Sequence, residues 1–233
     1  MLITDNGVVV VDTKLAGWGQ VLLAKIKTVT SKPVTTIINT HTHGDHTGSN
    51  EAFAGTVDFV AHENTKANME KMDAFKGDKT KFLPKRTFKD KLSIGSGKDR
   101  IDLYYFGRGH TNGDSVIYFP SEKVLHTGDL FTSGAPYCDS KAGCSIKEWD
   151  KTLQKAIQAY DFDTVIPGHG PVMKRADLSR YAQNIAVVRD RLKAACAGGE
   201  DTAAKRLDFK DLGLSTSPIF ETGVPGMCRE LAQ

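Results

Sequence analysis

Val34-Thr-Thr-Ile-Ile38, followed at once by Asn39-Thr-His41-Thr-His43-Gly44-Asp45-His46, is the stretch that decides the fold. A β-branched run of this length reads as a buried strand. The loop behind it gathers His41, His43, Asp45 and His46 within six residues, four potential metal ligands at one strand end. Imidazole and carboxylate suit zinc, and two histidines separated by one residue of extended backbone point to the same side. His41 and His43 can therefore hold one ion together. Gly44 is read as the residue that lets the chain turn, after which Asp45 and His46 face elsewhere, favouring a second ion beside the first.

Three further segments repeat the pattern of strand end, glycine and ligand: Phe106-Gly-Arg-Gly-His110, Leu125-His-Thr-Gly-Asp129 and Val165-Ile-Pro-Gly-His169-Gly. Each alone is as well explained by a turn; behind the His41–His46 loop they form one set, because loops at strand ends are where α/β proteins build sites. Around them, strand-like segments at Val8–Val11, Val57–Ala61, Ile101–Phe106, Val116–Phe119, Val124–Thr127 and Thr164–Ile166 alternate with helical ones. Leu15, Trp18, Leu22 and Ile26 fall on one helical face. Ser145 and Glu148 form a capping box ahead of a stripe of Ile146, Trp149, Leu153, Ile157 and Tyr160, and Asp177 caps a helix bearing Leu178, Tyr181, Ile185, Val188 and Leu192. Strands flanked by helices imply an α/β fold of covered sheets.

A chain of 233 residues, 39% hydrophobic, is most economically one domain with residues 175–233 as a C-terminal helical segment packed on it. The balance of 31 basic and 28 acidic residues leaves +3, too little to imply nucleic-acid binding. No apolar run approaches the roughly 18–20 residues that span a bilayer. Met1–Thr13 reads as strand, turn, strand and not as a signal peptide, which leaves localisation open: periplasmic or secreted if the N-terminus is shortened, cytoplasmic otherwise. Cys138, Cys144, Cys196 and Cys228 form no CxxC pair. They are either two disulfides, with three connectivities open, or four buried thiols.

The ordered set His41-x-His43-x-Asp45-His46, His110, Asp129, His169 resembles the five-motif signature of the metallo-β-lactamase-fold hydrolases, from Asp12, similar to an acidic residue ending an early strand there, to about Pro171. The resemblance implies a four-layer αβ/βα sandwich with Zn2+, two per chain. By it, His41, His43 and His110 hold the first ion, Asp45, His46 and His169 the second, and Asp129 bridges them. Such a pair, about 3.5–4 Å apart, brings a shared water towards ionisation, and a bridging hydroxide attacks the substrate while Asp45 orients it and takes its proton. His at 43, where flavo-di-iron reductases carry glutamate, favours hydrolysis; aspartate at 129 is similar to lactonases, thioester hydrolases, phosphodiesterases and general hydrolases. No GCGR-like stretch follows Asp129, and no RNA-clamping arm is inserted. The expected substrate is thus a small molecule with an acyl bond (β-lactam, lactone, thioester or related ester); the alternative is a phosphodiesterase or nuclease acting on nucleotides or RNA.

His62 and His126 lie within strands and are read as structural. The stretch Lys66–Lys91, nine basic against four acidic residues, is a solvated face, with an anion-steering lip as the sharper alternative. Phe131, Tyr137 and Trp149 are read as core, with pocket walls as the alternative. Only eleven residues precede Asp12, fewer strands than the resemblance implies. The open edge at Met1–Val11 is expected to be covered by a second copy in a homodimer, by a loop, or by the tail 205–233.

Overall fold

The structure, a computed structural model, describes the chain from Met1 to Gln233 except Ala54, Thr56 and the side chain of Asp201. Its first sheet joins β1 (Leu2–Thr4), β2 (Gly7–Val11), β3 (Val34–Ile38), β4 (Asp58–His62) and β5 (Arg86–Phe88) in that spatial order, antiparallel at β1/β2 and parallel elsewhere. The second is built from β6 (Lys91–Ile94), β7 (Ile101–Tyr104), β8 (Val116–Phe119), β9 (Val124–Thr132), β10 (Thr164–His169) and β11 (Met173–Lys174), ordered β11-β10-β9-β8-β7-β6. Only β9/β10 is parallel there.

The period of two along each strand sorts side chains into layers. Val9, Ile38 and Val60 meet Ile101, Leu103, Ile117 and Phe119 between the two sheets. Val8, Val10, Ile37 and Phe59 face the other way, onto Ile26 of α1 (Gly19–Lys27) and Phe53. The outer face of the second sheet, Val116, Leu125 and Val165, packs under α4 (Trp149–Ala159), α5 (Arg175–Cys196) and α7 (Pro218–Leu231). This is the helix, sheet, sheet, helix order of an αβ/βα sandwich. Short helices are α2 (Gly44–Thr47), α3 (Glu63–Met69) and α6 (Glu200–Ala203), and among the described residues no helix is long and apolar enough to cross a membrane.

Several expectations are corrected. Helix α1 begins at Gly19, leaving Leu15 and Trp18 exposed, because Asp12, Lys14 and Gly17 take left-handed conformations that hold residues 12–18 as a loop. Gly44 has no left-handed φ and no close neighbour where a Cβ would sit, so the turn does not require glycine. Strand β9 runs on to Thr132 with Gly128 left-handed at φ 51°, and the register against β10 slips beside it. Asp129 therefore leaves a bulged strand interior, not its end. Ser145 Oγ accepts from Glu148 N (3.1 Å), but Glu148 pairs with Arg108, so the capping box lacks its second half, and α4 starts only at Trp149. Asp177 does cap its helix, not from the N-cap position but as the third residue of α5, reaching back to accept from Lys174 N (3.0 Å).

The cysteines pair as Cys138–Cys144 and Cys196–Cys228. The second bridge ties α5 to α7, and Phe209, Phe220, Val224 and Met227 of the tail are buried in the helical layer over the second sheet. That packing commits the tail away from β1, the outer strand of the first sheet; the β1–β2 turn meets residues 97–99 instead, through Asp5 N to Asp99 Oδ2 (2.7 Å).

Candidate metal centre

All seven residues singled out by their spacing converge at one edge of the sandwich. The loop after β3 supplies His41 to His46, the bulge inside β9 supplies Asp129, the end of β10 supplies His169, and the loop after β7 supplies His110. His41, His43 and His110 form one group whose ligand atoms lie within 4.8 Å of one another; Asp45, His46 and His169 form a second, and Asp129 groups with His41 and His46 between them. His43 Nδ1 is 3.2 Å from His41 Nε2 and 2.8 Å from His110 Nε2. His169 Nε2 lies 3.0 Å from Asp45 Oδ2 and 3.4 Å from Asp129 Oδ2.

Behind these atoms the rings are tied outward. Asp12 follows β2 and accepts from Thr40 N (2.8 Å), from Thr40 Oγ1 (2.7 Å) and from His46 Nδ1 (2.7 Å). Since the Thr40 hydroxyl donates to Asp12, its oxygen is free to accept from His41 Nδ1 (3.0 Å). His110 Nδ1 donates to the Tyr137 carbonyl (2.6 Å) and His43 Nε2 to Asp139 Oδ2 (2.8 Å). Each of the four rings thus spends one nitrogen on the scaffold and turns the other inward, the arrangement by which outer partners fix the tautomer of a metal-binding histidine. Close backbone approach is equally built in. A Cβ on Gly168 would fall 1.8 Å from Asp129 Oδ1, so β10 passes the carboxylate only as glycine.

Burial holds His41 well below its ordinary value and lowers His110 to about 4, Asp129 pulling weakly the other way. Burial also opposes charge on His46, but Asp12, Asp129 and Asp45 outweigh it and raise it to about 12. Hydrogen bonds to Asp129 and Asp45 raise His169 to about 10. Burial would raise both carboxyl groups, yet the neighbouring His169 and His46 rings hold Asp45 and Asp129 well below the usual range. His46 Nε2 lies 3.1 Å from Asp129 Oδ1 and 3.5 Å from Asp45 Oδ2, and among the described residues neither this buried nitrogen nor Asp129 Oδ1 has a hydrogen-bond partner. Such orphaned atoms are costly unless something else satisfies them. A divalent cation fits this donor set of imidazoles and carboxylates.

The centre floors a cleft of about 600 Å³ walled by Leu15, Ala135, Tyr137 and Ile219, with Ser133, Ser215 and Ser217 among its hydroxyls. Tyr137 is thus a wall, whereas Phe131 and Trp149 are core, the latter donating its indole N–H to Leu130 O (2.9 Å). Among the described residues lining the cleft there is no lysine or arginine. None of the basic residues of Lys66–Lys91 lines the cleft; at the surface Lys79 pairs with Glu51 (3.0 Å) and Arg86 with Asp58 (3.5 Å). His62 stays structural, stacked on Tyr105 and bonded to Lys89 O (2.8 Å), and His126 accepts from Gly128 N (3.1 Å) in the bulge that aims Asp129.

Asp139 was not foreseen from the sequence. It lies 96 residues from His43 and follows no strand; a carboxylate beside a cysteine carries no spacing signal.

Residues 1–169 match the sequence model of the metallo-beta-lactamase superfamily. A metallo-beta-lactamase type 2 of Elizabethkingia meningoseptica is 28% identical over 83% of this chain and 77% of its own length. The alpha subunit of 2,4-dinitroanisole O-demethylase from a Nocardioides species is 29% identical over 82% of this chain, a match that spans only 58% of that subunit. Among solved structures, a metallo-beta-lactamase from Pontibacter korlensis superposes with a TM-score of 0.68 at 29% identity, covering 78% of this chain and 84% of the other. With the family match covering most of the chain and both ligand groups assembled beneath one cleft, the chain belongs to the metallo-beta-lactamase superfamily and is a metal-dependent hydrolase.

Proposed function

We propose that this hydrolase holds two zinc ions, the first on His41, His43 and His110, the second on Asp45, His46 and His169, with Asp129 shared, and that it cleaves an acyl bond of a small molecule. The observation that carries the reading is the pair of orphaned buried atoms, His46 Nε2 and Asp129 Oδ1, between two groups of inward-turned ligands. Zinc bound there supplies a Lewis acid for the carbonyl oxygen and a nucleophile from water near neutral pH. The chain's own residues do the rest. Asp45, partly exposed at the cleft floor and ionised throughout the working range, accepts a hydrogen bond from water and receives a proton at its carboxylate. Leu15, Tyr137 and Ile219 exclude water from one side of the substrate and orient its apolar part.

The absence of lysine and arginine from the described lining favours a carbonyl substrate over a phosphodiester. A panel of a chromogenic β-lactam, a lactone, a thioester and a phosphodiester tests this. Turnover of an acyl substrate, abolished by a chelator and restored by zinc, is expected; turnover confined to the phosphodiester would overturn the substrate class.

A further inference from the structure

The first ligand group is positioned by a turn that is itself seated by a helix outside the family match. His43 and His110 both send their outward nitrogens to one turn, residues 137–139. His43 Nε2 donates to Asp139 Oδ2 at 2.8 Å, and His110 Nδ1 donates to Tyr137 O at 2.6 Å. Asp139 N in turn donates to His110 O (3.2 Å), so the turn and the His110 loop clasp each other. Asp139 is itself held in place: its Oδ1 accepts from Lys141 N (2.9 Å) and Ala142 N (3.3 Å), and the Cys138–Cys144 bridge closes the segment around it.

What seats this turn is α7. Gly223 is buried against it, where a Cβ would fall 3.0 Å from Cys138 O and 3.2 Å from a ring carbon of Tyr137, and a Cβ on Gly226 would fall 2.7 Å from Ser140 Cβ. Two glycines one turn apart on the same helix face let the backbone of α7 lie directly on the segment. The helix cannot drift, since Cys228 bridges to Cys196 of α5 and Glu230 accepts from Ser145 Oγ (2.5 Å) and Ile146 N (2.9 Å). The residues 170–233 that contain α7 lie outside the family match of residues 1–169.

We propose that Asp139 is a positioning residue for the His41/His43/His110 group, fixing His43 with Nδ1 turned inward, and that α7 is the seat that holds Asp139 and the Tyr137 carbonyl at that task. The proposal rests on the metal reading above. Partners of this kind change metal affinity by about 10- to 100-fold.

The test is zinc titration of the metal-free full chain against a chromophoric chelator, made on the wild type, Asp139→Ala, Asp139→Asn and Gly223→Ala. It is repeated in an Asp45→Ala background, where the second ligand group is incomplete and the ion that remains reports the first. In that background Asp139→Ala should weaken zinc by about 10- to 100-fold. Asp139→Asn, which keeps an acceptor for His43 Nε2, should lose less, and Gly223→Ala, which pushes the turn without touching a ligand, should weaken it in the same direction. Unchanged affinity in Asp139→Ala, or equal losses in Asp139→Ala and Asp139→Asn, would overturn the proposal while leaving the metal reading intact. A wild-type chain that takes up no zinc would overturn both. Should Asp139→Ala fail to fold, the isosteric Asp139→Asn compared with Gly223→Ala decides: zinc as tight as wild type in both contradicts it.

Discussion

Replacing Gly168 by alanine asks most of the site for the smallest chemical change. The added Cβ would lie 1.8 Å from Asp129 Oδ1, 2.8 Å from the Gly128 carbonyl carbon and 2.9 Å from Asp129 N, whereas ordinary contact begins at 3.4 Å. The carboxylate alone cannot escape, since two of the three neighbours are backbone of β9, so β10 and β9 must part or Asp129 must swing away by more than about 1 Å. Asp129 faces His46 at 3.1 Å, His169 at 3.4 Å and His110 at 3.5 Å, all of which the movement disturbs. A misplacement of about 1 Å costs about a hundredfold in rate, or roughly 2.7 kcal/mol of barrier. Overpacking of this kind also costs about 1–3 kcal/mol of stability. Zinc content by mass spectrometry, a thermal melt and steady-state hydrolysis measured on one preparation separate these effects. The expected result is depleted zinc, a melt lowered by a few degrees and kcat/KM down at least about a hundredfold. A Gly168→Ala protein with full metal and wild-type turnover would refute the close approach of β10 to Asp129 as a requirement of the site.

Asp45→Ala removes a ligand and the water-orienting carboxylate together, so it should deplete one ion and lower turnover by orders of magnitude; an active variant would place the base elsewhere. His126 is kept neutral by burial, its value lowered to about 4, while the unfolded chain protonates near 6.5. The unfolded state therefore binds the extra proton between those values, and stability falls as the pH drops from about 6.5 to about 4. Urea midpoints should show this loss, and His126→Asn should reduce it; an equal loss in both proteins would contradict the assignment. The Cys196–Cys228 bridge closes a loop over a separation of 32 residues, and replacing both cysteines by serine should cost about 3–4 kcal/mol by chain entropy, read from the same midpoints.

The sandwich was legible where pattern and burial agree. Val34–Ile38 is a strand from Val34 to Ile38, and the stripe Leu178, Tyr181, Ile185, Val188, Leu192 is buried throughout. The seven ligand candidates were legible because histidine is scarce and glycine marks the strand ends that carry it. What stayed hidden depends on partners far along the chain. Residues 12–18 carry a helical spacing of apolar side chains, but the Asp12 carboxylate is committed to Thr40 and His46, and that commitment comes with a left-handed backbone no helix can include. Gly128-Asp129 reads as a turn, and only pairing with β10 shows it to be a bulge inside a longer strand. Asp139 and the cysteine pairing are likewise set by tertiary contact, for which a single sequence holds no spacing signal.

Metal content of the purified chain decides whether the two ligand groups hold two zinc ions at the floor of the cleft. Elemental analysis by mass spectrometry, with protein quantified by amino-acid analysis, should return close to two zinc ions per chain, removed by a chelator together with hydrolysis and restored with it. A chain carrying one iron and no zinc, or hydrolysing its substrate undiminished after the metal is gone, would rule out a di-zinc centre.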